Sequence, residues 1–105
     1  MSVQDKIREQ VTGNRIVLYM KGSPQSPQCG FSATVAEILK RCGVTDYKSV
    51  DVLQDAEIRQ GIKEYASWPT IPQLYLDGEF VGGCDIVKEM YQAGELQQLL
   101  AKQPV

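Results

Sequence analysis

The sequence contains no histidine, only three cysteines and no long hydrophobic run. Without histidine, Ser-His-Asp and Cys-His catalysis are excluded, and so is every His-ligated zinc or haem site. Three cysteines fall one short of a four-thiolate metal site within one chain, and an odd number cannot all pair. Any metal chemistry must therefore use carboxylates or borrow ligands from outside the chain. A large charge of one sign is lacking too. Eleven basic and 13 acidic residues give a net charge of −2, which offers nucleic acid no electrostatic footprint. No apolar stretch approaches the ~20 residues needed to span a bilayer, and Met1-Ser2-Val3-Gln4-Asp5 opens without the apolar region of a signal peptide. The expectation is a cytoplasmic protein with no membrane and no nucleic-acid partner. In such a reducing compartment cysteines are more often chemical than disulfide-bonded.

What is present suits a globular α/β domain. The 105 residues, 43% of them apolar, are enough for one core, and 1–105 reads as a single domain without repeats. Ser2 is a cap for a helix carrying Val3, Ile7 and Val11, stopped by Thr12-Gly13-Asn14. Ile16–Met20 is a β-prone apolar run, the mark of a buried central strand. Residues 21–28, with Pro24, Pro27 and Gly22, read as an exposed loop. Phe31, Val35, Ile38, Leu39 and Cys42 then share one helical face that Gly43 ends. Residues 47–52 alternate like a strand, and Asp55 caps a helix with Ile58, Ile62 and Tyr65 inward. After Trp68–Pro72 breaks that helix, Asp77-Gly78 between two short strands predicts a type I′ hairpin. Asp85 is read as the cap of a last helix, interrupted at Gly94 and continued by Leu96, Leu99 and Leu100. Strand, helix, strand implies a right-handed parallel unit, and the hairpin adds an antiparallel pair, so the sheet is mixed.

Cys29 is the most informative residue. It follows a strand and loop and immediately precedes a helix, where outward N–H groups and the helix dipole stabilise a thiolate. Lys21 can add positive charge if the loop folds back. The segment Cys29-Gly30-Phe31-Ser32 has the spacing of a dithiol redox motif, but Ser32 replaces the second thiol. A hydroxyl cannot resolve a mixed disulfide; it can bond to backbone or to the Cys29 thiolate. Cys42 lies in phase with the helix core. Cys84 is read either as a neighbour of Cys29 across a groove, and so a candidate resolving thiol, or as an inert helix-start residue. Phe31, beside the thiol, is the one aromatic expected to remain exposed.

Four segments in order, Met20-Lys21-Gly22-Ser23-Pro24, Cys29-Gly30-Phe31-Ser32, Trp68-Pro69-Thr70-Ile71-Pro72 and Gly82-Gly83-Cys84-Asp85, resemble the monothiol glutaredoxin family, in its short single-domain bacterial type. The resemblance covers nearly the whole chain. It implies a thioredoxin fold with a mixed four-stranded sheet flanked by helices, and a glutathione site with Cys29 as the reactive thiol. Lys21 and Arg59 would meet the glycine carboxylate of glutathione. Thr70 would line the groove, Ile71 would offer its backbone before a cis Pro72, and Gly83, Cys84 and Asp85 would hold the γ-glutamyl end. Each has a plainer reading: Lys21 and Arg59 as solvated charges, Asp85 as a helix cap, Gly83 as a strand terminator and Pro72 as a trans proline. The resemblance further implies a labile [2Fe–2S] cluster, with Cys29 as its ligand, bridged between two protomers with glutathione supplying the missing thiolates. The role implied is iron–sulfur cluster assembly, storage or transfer, with BolA-type proteins and apo iron–sulfur acceptors as partners. The other reading is a glutathione-dependent thiol–disulfide oxidoreductase that removes glutathione from mixed disulfides through Cys29, with weak thiol-transfer activity.

Overall fold

The structure is a computed structural model that describes residues 2–101, so both ends of the expected 1–105 domain lie outside it. Helix α1 spans Val3–Gly13, and the Asp5 amide donates to the Ser2 hydroxyl that caps it. Strand β1 spans Ile16–Met20, helix α2 Gly30–Arg41 and strand β2 Lys48–Asp51. Helix α3 spans Ala56–Ala66, strands β3 and β4 are Gln73–Leu76 and Glu79–Gly82, and helices α4 and α5 are Cys84–Gln92 and Glu95–Ala101. The strand order is β2-β1-β3-β4. β1 pairs parallel with β2 and antiparallel with β3, and β3 pairs antiparallel with β4. This is the mixed four-stranded sheet of the thioredoxin fold.

The strand parity of β1 divides the core. Ile16, Leu18 and Met20 face α2, α4 and α5, where Val35, Leu39, Val87 and Leu96 meet them. Val17 and Tyr19 face α1 and α3, among Ile7, Val11, Ile58 and Ile62. A strand buried on both sides has no polar face, which is why it reads as an unbroken apolar run.

Local signals account for most boundaries. Beyond α2, Gly43 takes a φ of +81°. Its amide donates to Lys40 O, and that of Val44 to Leu39 O, the two bonds of a Schellman motif. Asp77 and Gly78 both have positive φ, +53° and +82°, as a type I′ turn requires. In β4 one extra residue, Val81, stands between the pairs Tyr75–Phe80 and Leu74–Gly82, a β-bulge.

Three expectations need correction. The second strand covers 48–51 rather than 47–52. Asp51 caps a 3-10 turn over Val52–Gln54 through its carboxylate, and that turn takes Val52 out of the ladder. The cap of α4 is Gly83, not Asp85. The chain turns helical at Cys84, so Asp85 lies inside the first turn, where a negative side chain still complements the dipole. The 21–28 loop is not simply exposed either. An isolated antiparallel bridge joins Gly22 to Pro27, and Gly22 is buried.

Candidate active site

Cys29 stands at the N-cap of α2 with extended backbone, φ −152° and ψ 134°. Its sulfur closes no capping hydrogen bond, yet the first-turn amides hold its pKa below that of an ordinary thiol. The Ser32 amide has the largest effect; burial opposes it, and the Phe31 amide, the Ser32 hydroxyl and the Lys21 charge lower the pKa further. Lys21 does fold back toward the thiol. Ser32 is fully buried, and its hydroxyl accepts a hydrogen bond from the Lys21 amide at 3.1 Å. The position that holds a second thiol in a dithiol motif thus holds a sealed hydroxyl that ties α2 to the end of β1. Phe31, by contrast, is 63% exposed.

The loop before Cys29 folds on itself. The amides of Ser23 and Ser26 each donate to the other's carbonyl, at 3.2 and 3.1 Å, and Gln28 N donates to Lys21 O at 2.9 Å. Gly22 lies between the two limbs with φ +89°, and a Cβ there would sit 2.5 Å from Ser26 O and 2.6 Å from Gln28 N. Only glycine fits both the angle and the space.

The facing wall is Trp68–Pro72, which enters β3 through a cis Ile71–Pro72 bond. Gln73 holds this wall. Its amide nitrogen donates to Trp68 O and Thr70 O, both at 3.2 Å, and its oxygen accepts from the Tyr75 hydroxyl at 2.9 Å. Gln73 is fully buried, so losing it would strand three polar groups, at about 1–3 kcal/mol each. Gly83 closes the third side. A Cβ on Gly83 would lie 3.2 Å from Trp68 Nε1 and 3.3 Å from Pro72 O, so this glycine lets α4 approach the wall.

Between these walls is an open cleft of about 480 Å³. Lys21, Cys29, Thr70, Ile71, Pro72, Gly83, Cys84 and Asp85, eight of the nine residues singled out from the sequence, line it together. Arg59 is the ninth, and it is exposed on α3 outside the lining. Lys63 lines the cleft, one turn or about 6 Å further along the same helix. The i, i+4 spacing was the available signal for Lys63. The cleft therefore carries two lysines and one carboxylate, Asp85, beside a single activated thiol. Cys84 senses the charge on Cys29, and burial, with Asp85 and Cys29 adding to it, pushes the Cys84 thiol up. Burial also raises Cys42. One thiol of three is thus prepared for nucleophilic attack, with no hydroxyl or thiol of its own motif able to displace what it binds.

The glutaredoxin-family profile matches residues 16–81. The chain belongs to the glutaredoxin family. Among its relatives is "Glutaredoxin 4" of Haemophilus influenzae, 55% identical over 102 residues, which are 97% of this chain and 94% of that one. A monothiol glutaredoxin of Synechocystis is 57% identical over 95 residues, covering 90% and 88%. The solution structure of reduced apo GrxS14 from poplar superposes with a TM-score of 0.80 at 51% identity, over 93% and 89% of the two chains. The Ser32 position marks this glutaredoxin as the monothiol type.

For this glutaredoxin the three thiols should separate by pH. Alkylation of Cys29 should reach half its limiting rate below the ordinary thiol pKa of ~8.5, and alkylation of Cys42 and Cys84 above it. Peptide mass spectrometry after timed iodoacetamide pulses reads each site. A Cys29 midpoint at or above that of Cys84 would contradict the geometry. The stability consequence follows the same signs. The depressed Cys29 contributes stability that is present above ~8.5 and lost as pH falls through its folded pKa. Cys42 and Cys84 contribute stability that is present below ~8.5 and lost as pH rises through theirs.

Proposed function

We propose that the cleft binds glutathione and that this glutaredoxin carries a labile [2Fe–2S] cluster as cargo between two protomers. Its role would be iron–sulfur cluster assembly, storage or transfer. The observation that supports this most is the pairing of one activated, partly exposed thiol with a motif whose second position is a buried hydroxyl. Glutathione is a zwitterionic tripeptide, and the cleft offers a matching set of charges. Lys21 and Lys63 would take the glycine carboxylate, with Arg59 a turn away. Thr70, Ile71 and Pro72 would flank the cysteinyl part along its backbone. The first-turn amides of Cys84 and Asp85 would hold the γ-glutamyl carboxylate, with the Asp85 carboxylate on its ammonium. Gly83 leaves room for that backbone to approach.

Among the described residues no three side chains of His, Cys, Asp or Glu gather at one point to hold a metal ion. The donor set nevertheless suits a shared cluster, because Cys29 is a half-open thiolate donor at the rim of the cleft. Two copies of Cys29 and two glutathione thiols make four. Cys29 would be the ligand from each chain, the cluster would supply transferable iron and sulfide, and Lys21 would offset thiolate charge. BolA-type proteins and apo iron–sulfur acceptors in the cytoplasm are the partners proposed. Anaerobic reconstitution with iron, sulfide and glutathione tests this. A coloured species at twice the monomer mass on gel filtration is expected, and it must be absent without glutathione. A colourless monomer under all conditions would refute the carrier reading.

The depressed Cys29 thiol supports a second reading, exchange with glutathione mixed disulfides. The Cys29 thiolate would attack the glutathione sulfur and release the substrate as its thiolate. A second glutathione thiolate would then attack that sulfur, forming glutathione disulfide and returning the Cys29 thiolate. Steady-state turnover of a glutathionylated peptide separates the two readings. Trp68, the sole tryptophan, lines the cleft, so its fluorescence reports glutathione binding under either.

A further inference from the structure

We propose that Asp51 is a positioning residue for the reactive thiol: its carboxylate fixes the start of the 21–28 loop, and through that loop the place of Cys29. The β1–β2 ladder ends at the pair Met20–Asp51, because β2 gives way to the 3-10 turn at Val52. The next amide of the β1 chain is without a strand to bond. The Lys21 amide finds Ser32 Oγ at 3.1 Å, and the Gly22 amide finds Asp51 Oδ1 at 2.9 Å. The same Oδ1 accepts from Leu53 N at 2.9 Å. One side-chain oxygen thus replaces the missing ladder acceptor and pins two segments together.

From Gly22 the constraint passes on without a gap. Gly22 bridges Pro27, the Lys21 carbonyl accepts from Gln28 N, and Gln28 precedes the thiol. Gly22 is buried, with no room even for a Cβ between the limbs, so displacement of its amide must move Gln28 and with it Cys29. Lys21, whose charge lowers the thiol pKa, is clamped between the Ser32 and Asp51 anchors. Asp51 does not line the cleft, so it acts through the loop and not on a ligand. The assignment is independent of whether the thiol serves cluster transfer or disulfide exchange.

Two variants and one measurement on the unaltered protein test it. Asp51→Asn keeps an oxygen acceptor of the same reach, and Asp51→Ala removes it. In the parent protein, NMR hydrogen exchange should find the Gly22 amide protected alongside the β1 amides. Asp51→Ala should slow iodoacetamide modification of Cys29 at pH 7 by about three- to tenfold and move its pH midpoint toward that of an ordinary thiol. Asp51→Asn should remain within about twofold of the parent, as acceptor strength changes less than acceptor loss. A Gly22 amide that exchanges at loop rates in the parent overturns the proposal. So does a folded Asp51→Ala protein with the parent midpoint, or an Asp51→Asn protein as impaired as the alanine variant. If Asp51→Ala does not fold, the parent exchange and the Asp51→Asn midpoint still decide.

Discussion

A Cys29→Ser variant should lose thiol exchange with glutathione disulfides down to the uncatalysed rate, fail to yield a coloured reconstituted dimer, and melt higher than the parent. The first two losses follow from the site. Cys42 and Cys84 have raised thiol pKa values, and the second position of the motif is the sealed hydroxyl of Ser32, so no other group substitutes as nucleophile or ligand. The gain in stability comes from the cap. Position 29 has the extended backbone of an N-cap but makes no capping hydrogen bond. A serine oxygen can accept from the Phe31 and Ser32 amides that now face sulfur, and it belongs to the residues most favoured there. A gain of about 0.5–1 kcal/mol is expected, roughly 2–8 °C in a domain of this size. The melts should be compared at a pH below the Cys29 midpoint found by alkylation, where the parent thiol is protonated and its linkage contribution is absent. A serine variant less stable than the parent would mean that sulfur packing, and not the amide field, dominates this position.

A Gly22→Ala variant should lose about 2–4 kcal/mol, from the left-handed φ and from forced separation of the loop limbs. The corresponding fall in melting temperature is roughly 10–25 °C. The overlap is with backbone atoms, Ser26 O at 2.5 Å and Gln28 N at 2.6 Å, which cannot swing aside as a side-chain end can. The loop must open, and Cys29 should drift toward ordinary thiol reactivity as Lys21 moves away. Gly30→Ala is the control. It lies one residue from the thiol, but a Cβ there meets nothing within 4 Å. Its melt should match or exceed that of the parent, because alanine favours the helix by up to about 1 kcal/mol. Equal melts for the two alanine variants would contradict the packed loop.

The features legible from sequence were those that depend on near neighbours. β1 is legible because burial on both faces leaves only apolar residues, and α3 because Asp55 caps it one residue before Ala56. The hairpin turn is legible because Asp-Gly suits two positive φ angles. The thiol and its direction of activation are legible because a strand–loop–cysteine–helix order places sulfur at a helix start. What has no signature in the sequence depends on how segments turn and dock in three dimensions. The Gln73 network reads in sequence as one polar residue at the start of a strand. The Asp51–Gly22 bond spans 29 positions and has no local pattern. Arg59 and Lys63 are equivalent by periodicity, and only the docking of α3 decides which faces the cleft. Asp85 has the composition of a cap, but the preceding glycines let the chain turn two residues earlier, with Gly83 as the cap.

The bulge in β4 bears on how copies of the protein can meet. A sheet edge is a template for aggregation when it is long, flat and regularly spaced. Here one outer edge is interrupted at Val81 and the other is a four-residue strand beginning with exposed Lys48. Neither offers a register along which a second sheet can grow. Growth of fibril-like stacks from either sheet edge is thereby disfavoured.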